Sequence, residues 1–487
     1  MEITRKTGGR SSLAEDRLGA PAVLSFVLSA VAPLTVCAGV ITTAYAVTGL
    51  TTIPAAFIVV ALILALFAVG FVAMARRIVN AGAFYSFVAR GIGQPAGVSA
   101  AFVAVAAYNA LQVGLYGAFG ASLAEYAELR LHIHVTWWAC ALGAWLLTAV
   151  LGNLAIDLNG KILAILLFCE FVTILVITVS GIVHPAGGRL DAHPLWPGNL
   201  LAAGSGAALA IAVLSFTGFE QSAVFSEEVR EPRRTVNIAT YTSIAVIGVL
   251  YGSASWAMTA FYGTGAVVDA AKADGPFAFF RLGGSAVSDV AQVLFITSLF
   301  AAMLSFHNAV ARYMFALGRE RVLPAALGNV NPRTSAPQIA SLTQSVLGLI
   351  VIVVYAAAGL DPFVQLFFWI GTTGGFGVLL LLCATSAAVI GFAVKTKYPD
   401  GVWRSFIAPG LALVALTILA WRTVVDYAVV LGVRPGDRVA WILPSLYLVI
   451  ALAGLLWGLF LRQARPHVYG SIGLGPAAAG LHRPSRD

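Results

Sequence analysis

The chain has 487 residues, of which 60% are hydrophobic and only 10% are charged, and its formal net charge is +8. About a quarter of the residues in soluble domains are charged, so this chain lacks the polar side chains that would cover a surface in water. The composition therefore excludes a soluble enzyme, and it predicts that much of the apolar surface faces lipid.

Apolar runs recur from the beginning of the sequence to its end. A helix needs about 20 apolar residues to cross the hydrocarbon core of a bilayer. The runs lack the alternating pattern of barrel strands, so we expect helices. Twelve runs fit this description, at residues 23–49, 53–74, 98–124, 136–152, 160–182, 203–226, 238–262, 289–317, 340–358, 363–394, 406–430 and 440–461.

Basic residues are distributed unevenly between the two sides of these runs. With the N-terminus placed in the cytoplasm, 22 of the 29 Lys and Arg fall on the cytoplasmic side and 7 fall outside. Because cytoplasmic loops are enriched in Lys and Arg, we predict a multi-pass protein of the plasma membrane with both termini cytoplasmic. The positive charge forms no basic stripe, so we expect no nucleic-acid partner. The oligomeric state stays open.

Small and polar residues interrupt two of the runs near their middle, at residues 35–43 in the first run and 215–222 in the sixth. Helix breaks in hydrocarbon are tolerated only where the freed backbone is buried or lines a cavity. The two runs are five crossings apart, so they enter the membrane from opposite sides. This pattern predicts an inverted repeat with a binding site near the membrane midplane.

Four stretches of sequence carry family-like motifs in a fixed order. They are the interrupted first run at 33–49, the loop at 80–88, the sixth run with its exit loop at 215–234, and the eighth run with its tail at 308–333. In the sixth run, Phe216-Thr217-Gly218-Phe219-Glu220 is similar to a Phe-x-Gly-x-Glu signature. Together these stretches resemble the amino acid–polyamine–organocation (APC) superfamily of permeases.

The resemblance implies a particular organisation of the chain. We expect an all-α polytopic membrane protein of about twelve transmembrane helices, with a LeuT-like five-plus-five inverted repeat and two additional helices. The expected divisions are a cytoplasmic tail at 1–21, the first repeat at 22–182, the second repeat at 183–395, the last two helices at 396–462, and a cytoplasmic tail at 463–487.

The two interruptions are also the predicted binding site. A broken helix exposes unpaired N–H groups at one end and unpaired carbonyls at the other, and the N–H end attracts anions. An amino acid carries a carboxylate and an ammonium on one carbon, so a pair of breaks can hold both. By the resemblance, the carboxylate contacts the backbone of Cys37, Ala38 and Gly39. The ammonium contacts carbonyls near Thr35 and those of Ser215, Phe216 and Gly218, while Phe216 and Phe219 are candidate aromatic gates.

Two carboxylates lie inside predicted spans, where ionisable side chains are costly unless paired or hydrated. Glu220 follows the sixth-run break, and the resemblance implies a role in conformational coupling; the alternative is a structural hydrogen bond to nearby backbone. Glu170 lies about ten residues into the fifth run. It is a candidate proton-binding group, and the alternative is a neutral acid that bonds to a neighbouring helix.

Polar side chains on two further runs complete the candidate set. Tyr108 shares one face of the third run with other polar residues, and that face contacts either substrate or a neighbouring helix. Ser305 on the eighth run is the candidate sodium ligand, because sodium-coupled relatives place hydroxyls there. Arg312, near the inner end of the same run, can reach lipid headgroups or Glu227. Outside this candidate set, Arg422 and Asp426 of the eleventh run are four residues apart on one face, and we expect them to pair near the outer surface.

The sequence therefore predicts a secondary transporter for amino acids that is coupled to protons in preference to sodium, uses no cofactor and binds no structural metal. The alternatives are an amino-acid exchanger or a carrier of polyamines or other organic cations with the same fold. A membrane-embedded enzyme or receptor is a remote alternative, because it would require a catalytic cluster or a large soluble insert, and we find neither in the sequence.

Overall fold

The chain folds as a bundle of helices. The structure is a computed structural model that describes residues 13, 16–154, 156–201, 204–396 and 401–481. These described residues form no β-strand, and their extended contacts are limited to an isolated bridge between Leu18 and Val229. The predicted all-α class of polytopic membrane protein is confirmed.

Seventeen α-helices of six or more residues are described. They are α1 (Ala20–Val31), α2 (Ile41–Thr48), α3 (Ile53–Ala75), α4 (Ala83–Gly91), α5 (Gln94–Leu131), α6 (Trp137–Leu151), α7 (Ile156–Val183), α8 (Ser205–Ser215), α9 (Pro232–Tyr262), α10 (Val267–Asp274), α11 (Gly284–Arg319), α12 (Gln338–Ala357), α13 (Gly371–Thr396), α14 (Ala408–Val425), α15 (Val439–Ala464), α16 (Pro466–Ser471) and α17 (Pro476–Leu481). A π-helical segment, Pro362–Ile370, leads directly into α13.

Ten helical stretches within the described ranges are long and apolar enough to cross a membrane. They lie at ten of the twelve predicted spans. The other two are shorter, because α6 has 15 residues and α8 has 11 residues before the predicted break of the sixth span. The chain is a multi-pass membrane protein, and the count of twelve crossings stays a prediction.

The first span is interrupted at residues 32–40, which we call the first break. Ala32 ends α1 in the left-handed conformation, with φ of 50° and ψ of 69°. Helical geometry resumes at Pro33, and Val36–Val40 form a π-helical turn before α2 begins. The interruption therefore starts three residues before the predicted one, at a non-glycine residue whose conformation costs energy unless its surroundings hold it.

The sixth span is interrupted at residues 216–223, which we call the second break. The α-helix α8 ends at Ser215, and Gly218 has φ of 125°, a value that glycine adopts far more readily than other residues. A short 3₁₀ segment, Phe219–Ala223, follows. Because the two breaks interrupt spans at the centre of the bundle, they position the site described below.

Helices that are five spans apart in the chain pack side by side. The helix α3 packs along α9, α5 packs along α11, and α1 contacts the second break. These contacts bring the two breaks against each other and surround them with α5, α9 and α11.

Two buried ion pairs close the side of the bundle where α1 begins. Arg312 binds Glu228, with 3.0 Å between Nη2 and Oε1, and Arg319 binds Glu227, with 2.7 Å between Nη1 and Oε2. The predicted pairing of Arg312 with Glu227 is therefore wrong. Arg319 lies two turns further along α11, and it takes Glu227 instead. The backbone N–H of Leu18 donates to the carbonyl of Glu228, so the N-terminal segment joins this network.

The C-terminal segment covers the same side. The Glu320 side chain accepts hydrogen bonds from the backbone N–H groups of Gly473 and Gly475, each at 2.9 Å. Burial raises the pKa of this carboxyl above its ordinary value, and the two amide donors oppose that effect. The end of α11 is thus tied to the loop between α16 and α17.

We predict that Arg312→Ala destabilises the protein much more than Arg422→Ala. Arg312 and Glu228 are 2% and 1% exposed, and a buried charge left without its partner costs about 3–5 kcal/mol. Arg422 is 42% exposed and forms the predicted pair with Asp426 at 3.2 Å. Such a pair contributes about 0–1 kcal/mol. Thermal unfolding in detergent, followed by tryptophan fluorescence, measures both changes. Equal losses in the two variants would contradict the assignment of the Arg312 pair as buried.

Candidate functional site

A cavity of about 110 Å³ lies where the two breaks meet. Its walls come from the first break, α5, the end of α8 with the second break, α11, and the beginning of α13. The lining residues are Ala30, Val31, Ala32, Thr35, Val36, Val40, Leu111, Leu115, Ile211, Leu214, Ser215, Thr217, Ala302, Phe306, Phe367, Phe368, Gly371 and Thr372. The space is large enough to hold several water molecules or a small ligand.

The polar side chains described in this lining are those of serine and threonine, which carry hydroxyl groups. Ser215 Oγ donates to the carbonyl of Ile211 at 2.7 Å, so its hydrogen is already engaged. Thr35 Oγ1 is buried and has no hydrogen-bond partner among the described residues. Buried polar groups are nearly always paired, so an unpaired hydroxyl at a cavity is a candidate contact for a ligand.

Only some of the predicted substrate-binding residues of the first break line the cavity. Thr35 lines the cavity, whereas Cys37, Ala38 and Gly39 are buried in the π-helical turn outside the lining. A Cβ atom at Gly39 would lie 3.8 Å from the ring of Phe295, on the far side of this turn. The binding role of these three backbone groups stays a prediction.

Only some of the predicted substrate-binding residues of the second break line the cavity as well. Ser215 lines the cavity, but Phe216 and Phe219 point into the packing between helices. The ring of Phe216 lies 6.0 Å from that of Tyr251 in α9, and the ring of Phe219 lies 6.0 Å from that of Phe67 in α3. Their predicted gating role is therefore untested, and neither ring contributes to the lining.

Gly218 is the point where the second break packs on the end of α1. A Cβ atom there would lie 3.0 Å from Ala30 Cβ and 3.0 Å from the backbone nitrogen of Val31, and Tyr251 Oη donates to the Val31 carbonyl at 3.1 Å. The backbone of the second break thus packs directly on the end of α1. Both its positive φ and this close approach require the absence of a side chain.

Glu220 and Tyr108, which the sequence identified separately, are bound to each other. Tyr108 Oη donates to Glu220 Oε1 at 2.5 Å, and the backbone N–H of Gly218 donates to Glu220 Oε2 at 2.9 Å. Both side chains are buried behind the cavity wall, where the ring of Tyr108 stacks on that of Tyr313. Glu220 therefore forms a hydrogen bond to nearby backbone, which is the structural alternative that the sequence left open. Its role in conformational coupling stays a prediction.

Glu170 joins the first break to two helices. In α7, its Oε2 atom accepts from Ser298 Oγ of α11 at 2.8 Å and from the backbone N–H of Leu34 at 3.4 Å. The candidate sodium ligand Ser305 lies further along α11 and donates to the carbonyl of Phe26 in α1 at 2.7 Å. Glu170 and Ser305 thus both connect α11 to the broken first span.

Sequence reasoning missed several residues of the cavity. Thr217 lies inside the second break, and Thr372 lies in the Gly371-Thr372-Thr373-Gly374 run at the beginning of α13. That run of small and polar residues lies in an otherwise apolar span. It is the signal that could have identified α13 as part of the cavity wall. The π-helical segment before it, which carries Phe367, is a second type of feature that is frequent at functional sites.

We predict that Gly218→Ala destabilises the protein by about 1–3 kcal/mol, since alanine would be forced into a backbone conformation that it rarely adopts. The matched control is Gly143→Ala. Gly143 lies on an exposed face of α6, and a Cβ atom there would contact nothing within 4 Å. Thermal unfolding in detergent should show a loss for the first variant and no loss for the second. If Gly218→Ala is as stable as the control, the close contact of Gly218 with the end of α1 is wrong.

Comparison with known proteins gives one family match and several partial relatives. The sequence model of the family described as amino acid permease matches residues 18–456. The cationic amino acid transporter 6, chloroplastic, of Arabidopsis thaliana is 26% identical over 298 residues, which are 55% of this chain and 50% of that protein.

Two bacterial relatives match shorter regions. The branched-chain amino acid permease BcaP of Lactococcus lactis is 25% identical over 182 residues, 36% of this chain and 38% of its own length. The low-affinity putrescine importer PlaP of Escherichia coli K12 is 23% identical over 168 residues, 34% of this chain and 37% of its own length. The chain therefore spans half or less of the length of these three curated relatives.

Proposed function

The chain belongs to the amino acid permease family, and on this basis we propose that it is a secondary active transporter that carries amino acids across the plasma membrane. Both termini lie in the cytoplasm in this proposal. One observation carries it above the others: the unpaired hydroxyl of Thr35 faces a cavity between two helix breaks. The proposal involves neither a cofactor nor catalysis.

The two breaks offer complementary partners for a zwitterion. A helical segment begins at Pro33 inside the first break, and the N–H end of such a segment attracts a carboxylate. The carbonyl end of α8 lies at Ser215, and it attracts an ammonium group. We therefore assign the carboxylate of the substrate to the backbone of the first break and to Thr35. The ammonium contacts the carbonyls of the second break.

We expect Thr35→Val to weaken the apparent affinity for substrate roughly tenfold or more, since a hydrogen bond to a charged group contributes about 1.5–3 kcal/mol. The matched control is Thr52→Val. Thr52 also carries a buried hydroxyl without a partner among the described residues, but it lies outside the cavity. Uptake of labelled amino acids into proteoliposomes measures KM for both variants. An unchanged KM in Thr35→Val would remove this hydroxyl from the site.

We propose proton coupling through Glu170. The carboxylate accepts hydrogen bonds from the first break and from α11, and an ionised acceptor binds more strongly than a neutral one. Protonation therefore weakens the attachment of the first break, which connects proton binding to the conformation of the site. The sodium alternative uses Ser305 and the α1 carbonyl that it contacts.

For proton symport, uptake should fall as the external pH rises, because fewer carriers are protonated on the outer side. We predict that Glu170→Gln flattens this dependence, since an amide cannot titrate. Glu128→Gln is the control, because that side chain is 60% exposed at the end of α5. Uptake at a series of external pH values tests the proposal. An unchanged profile in Glu170→Gln would exclude Glu170, and a sodium requirement at fixed pH would favour the Ser305 alternative.

Alternating access requires the two sides of the cavity to open in turn. The buried pairs of Arg312 with Glu228 and of Arg319 with Glu227 would then have to separate in each cycle. The second candidate function is a polyamine carrier, which is favoured by the similarity to a protein named as a putrescine importer. An exchanger of amino acids would use the same site without net ion flux.

A further inference from the structure

We propose that the cavity selects neutral amino acids with apolar side chains and excludes cationic amino acids and diamines. This inference rests on the proposed transport of amino acids and names the class that this chain would carry. Its basis is the lining, in which none of the described residues is ionisable.

Apolar side chains make up most of the lining. Among them are Leu111 and Leu115 of α5, Ile211 of α8, Phe306 of α11 and Phe367 of the π-helical segment. A substrate whose zwitterionic end lies between Thr35 and Ser215 would place its side chain among these groups. Each methylene that is buried there strengthens binding roughly fourfold.

The two carboxylates nearest to the breaks are hydrogen-bonded to other groups of the protein and do not face the cavity. Glu220 accepts from Tyr108 and from the Gly218 backbone, and Glu170 accepts from Ser298 and from the Leu34 backbone. Neither contributes to the lining. A lysine side chain or the second ammonium of a diamine would therefore be buried without a counter-charge, which is strongly unfavourable.

The hydroxyl groups cannot replace a carboxylate. The lining offers four of them, and the Ser215 hydroxyl already donates to Ile211. Thr35, Ser215 and Thr217 lie in or beside the breaks, where the zwitterionic end would bind. Thr372 remains, and one neutral hydroxyl supplies no negative charge to a side-chain ammonium that has three donors.

Uptake by the full-length protein in proteoliposomes tests the inference. Labelled leucine, lysine and putrescine are supplied separately, and thermal shift of the purified protein measures binding of the same three compounds. We expect uptake and stabilisation with leucine, and roughly 100-fold or more weaker effects with lysine and putrescine. Transport of lysine or putrescine as good as that of leucine would overturn the inference but leave the transport proposal standing. No uptake and no stabilisation with any amino acid would overturn the transport proposal itself.

A charge placed in the lining tests the cause of the selectivity. Thr372→Asp supplies a carboxylate at a half-buried position, so we expect roughly tenfold or more faster lysine uptake than in the unmodified protein. Thr372→Asn is the matched control, which changes shape in the same way without charge and should not gain lysine uptake. Leu115→Asp, in the α5 part of the lining, is the second variant if the first does not fold. Folded aspartate variants that still exclude lysine would show that the missing counter-charge is not the cause.

Discussion

The two helix breaks leave backbone N–H and carbonyl groups without their helical partners inside the membrane. The rest of the structure depends on how these groups are hydrogen-bonded. Water is absent from the hydrocarbon core, so each freed N–H or carbonyl must find a partner within the protein. Three side chains supply such partners. Glu170 accepts from the Leu34 N–H, Glu220 accepts from the Gly218 N–H, and Tyr251 donates to the Val31 carbonyl. These bonds hold α7 and α9 against the breaks.

This arrangement explains why the described residues of the cavity lining carry hydroxyl and apolar groups but no charge. The two carboxylates hold the backbone and do not belong to the lining. The Thr35 hydroxyl, which has no partner among the described residues, and the ends of two helical segments remain at the breaks. A ligand with both charges on one carbon matches these groups, and an apolar side chain matches the rest of the lining. Substrate recognition and the stability of the bundle thus depend on the same backbone geometry.

The sequence alone predicted the helical spans and both breaks, because these features follow from local composition. It also predicted the pair of Arg422 and Asp426, since residues four apart on a helix are neighbours. The rotation of each helix is not a local property. Phe216 follows Ser215 directly, yet Ser215 faces the cavity and Phe216 faces α9.

Tertiary contacts also determine the features that the sequence analysis placed incorrectly or missed. Arg312 pairs with Glu228 because the loop after the second break offers two adjacent carboxylates, and the register of α11 selects between them. The left-handed Ala32 is held by its surroundings, and no glycine marks it in the sequence. Thr372 belongs to the tenth predicted span, and the sequence analysis did not connect that span with the breaks.

The most direct test of the central claim is an experimental structure of the protein in lipid nanodiscs with leucine bound. We predict non-helical backbone at Ala32 and Gly218, direct contact of Gly218 with Ala30 and Val31 at the end of α1, and leucine in the cavity with its charged end between Thr35 and Ser215. Continuous helices through both positions, or leucine bound elsewhere, would contradict it.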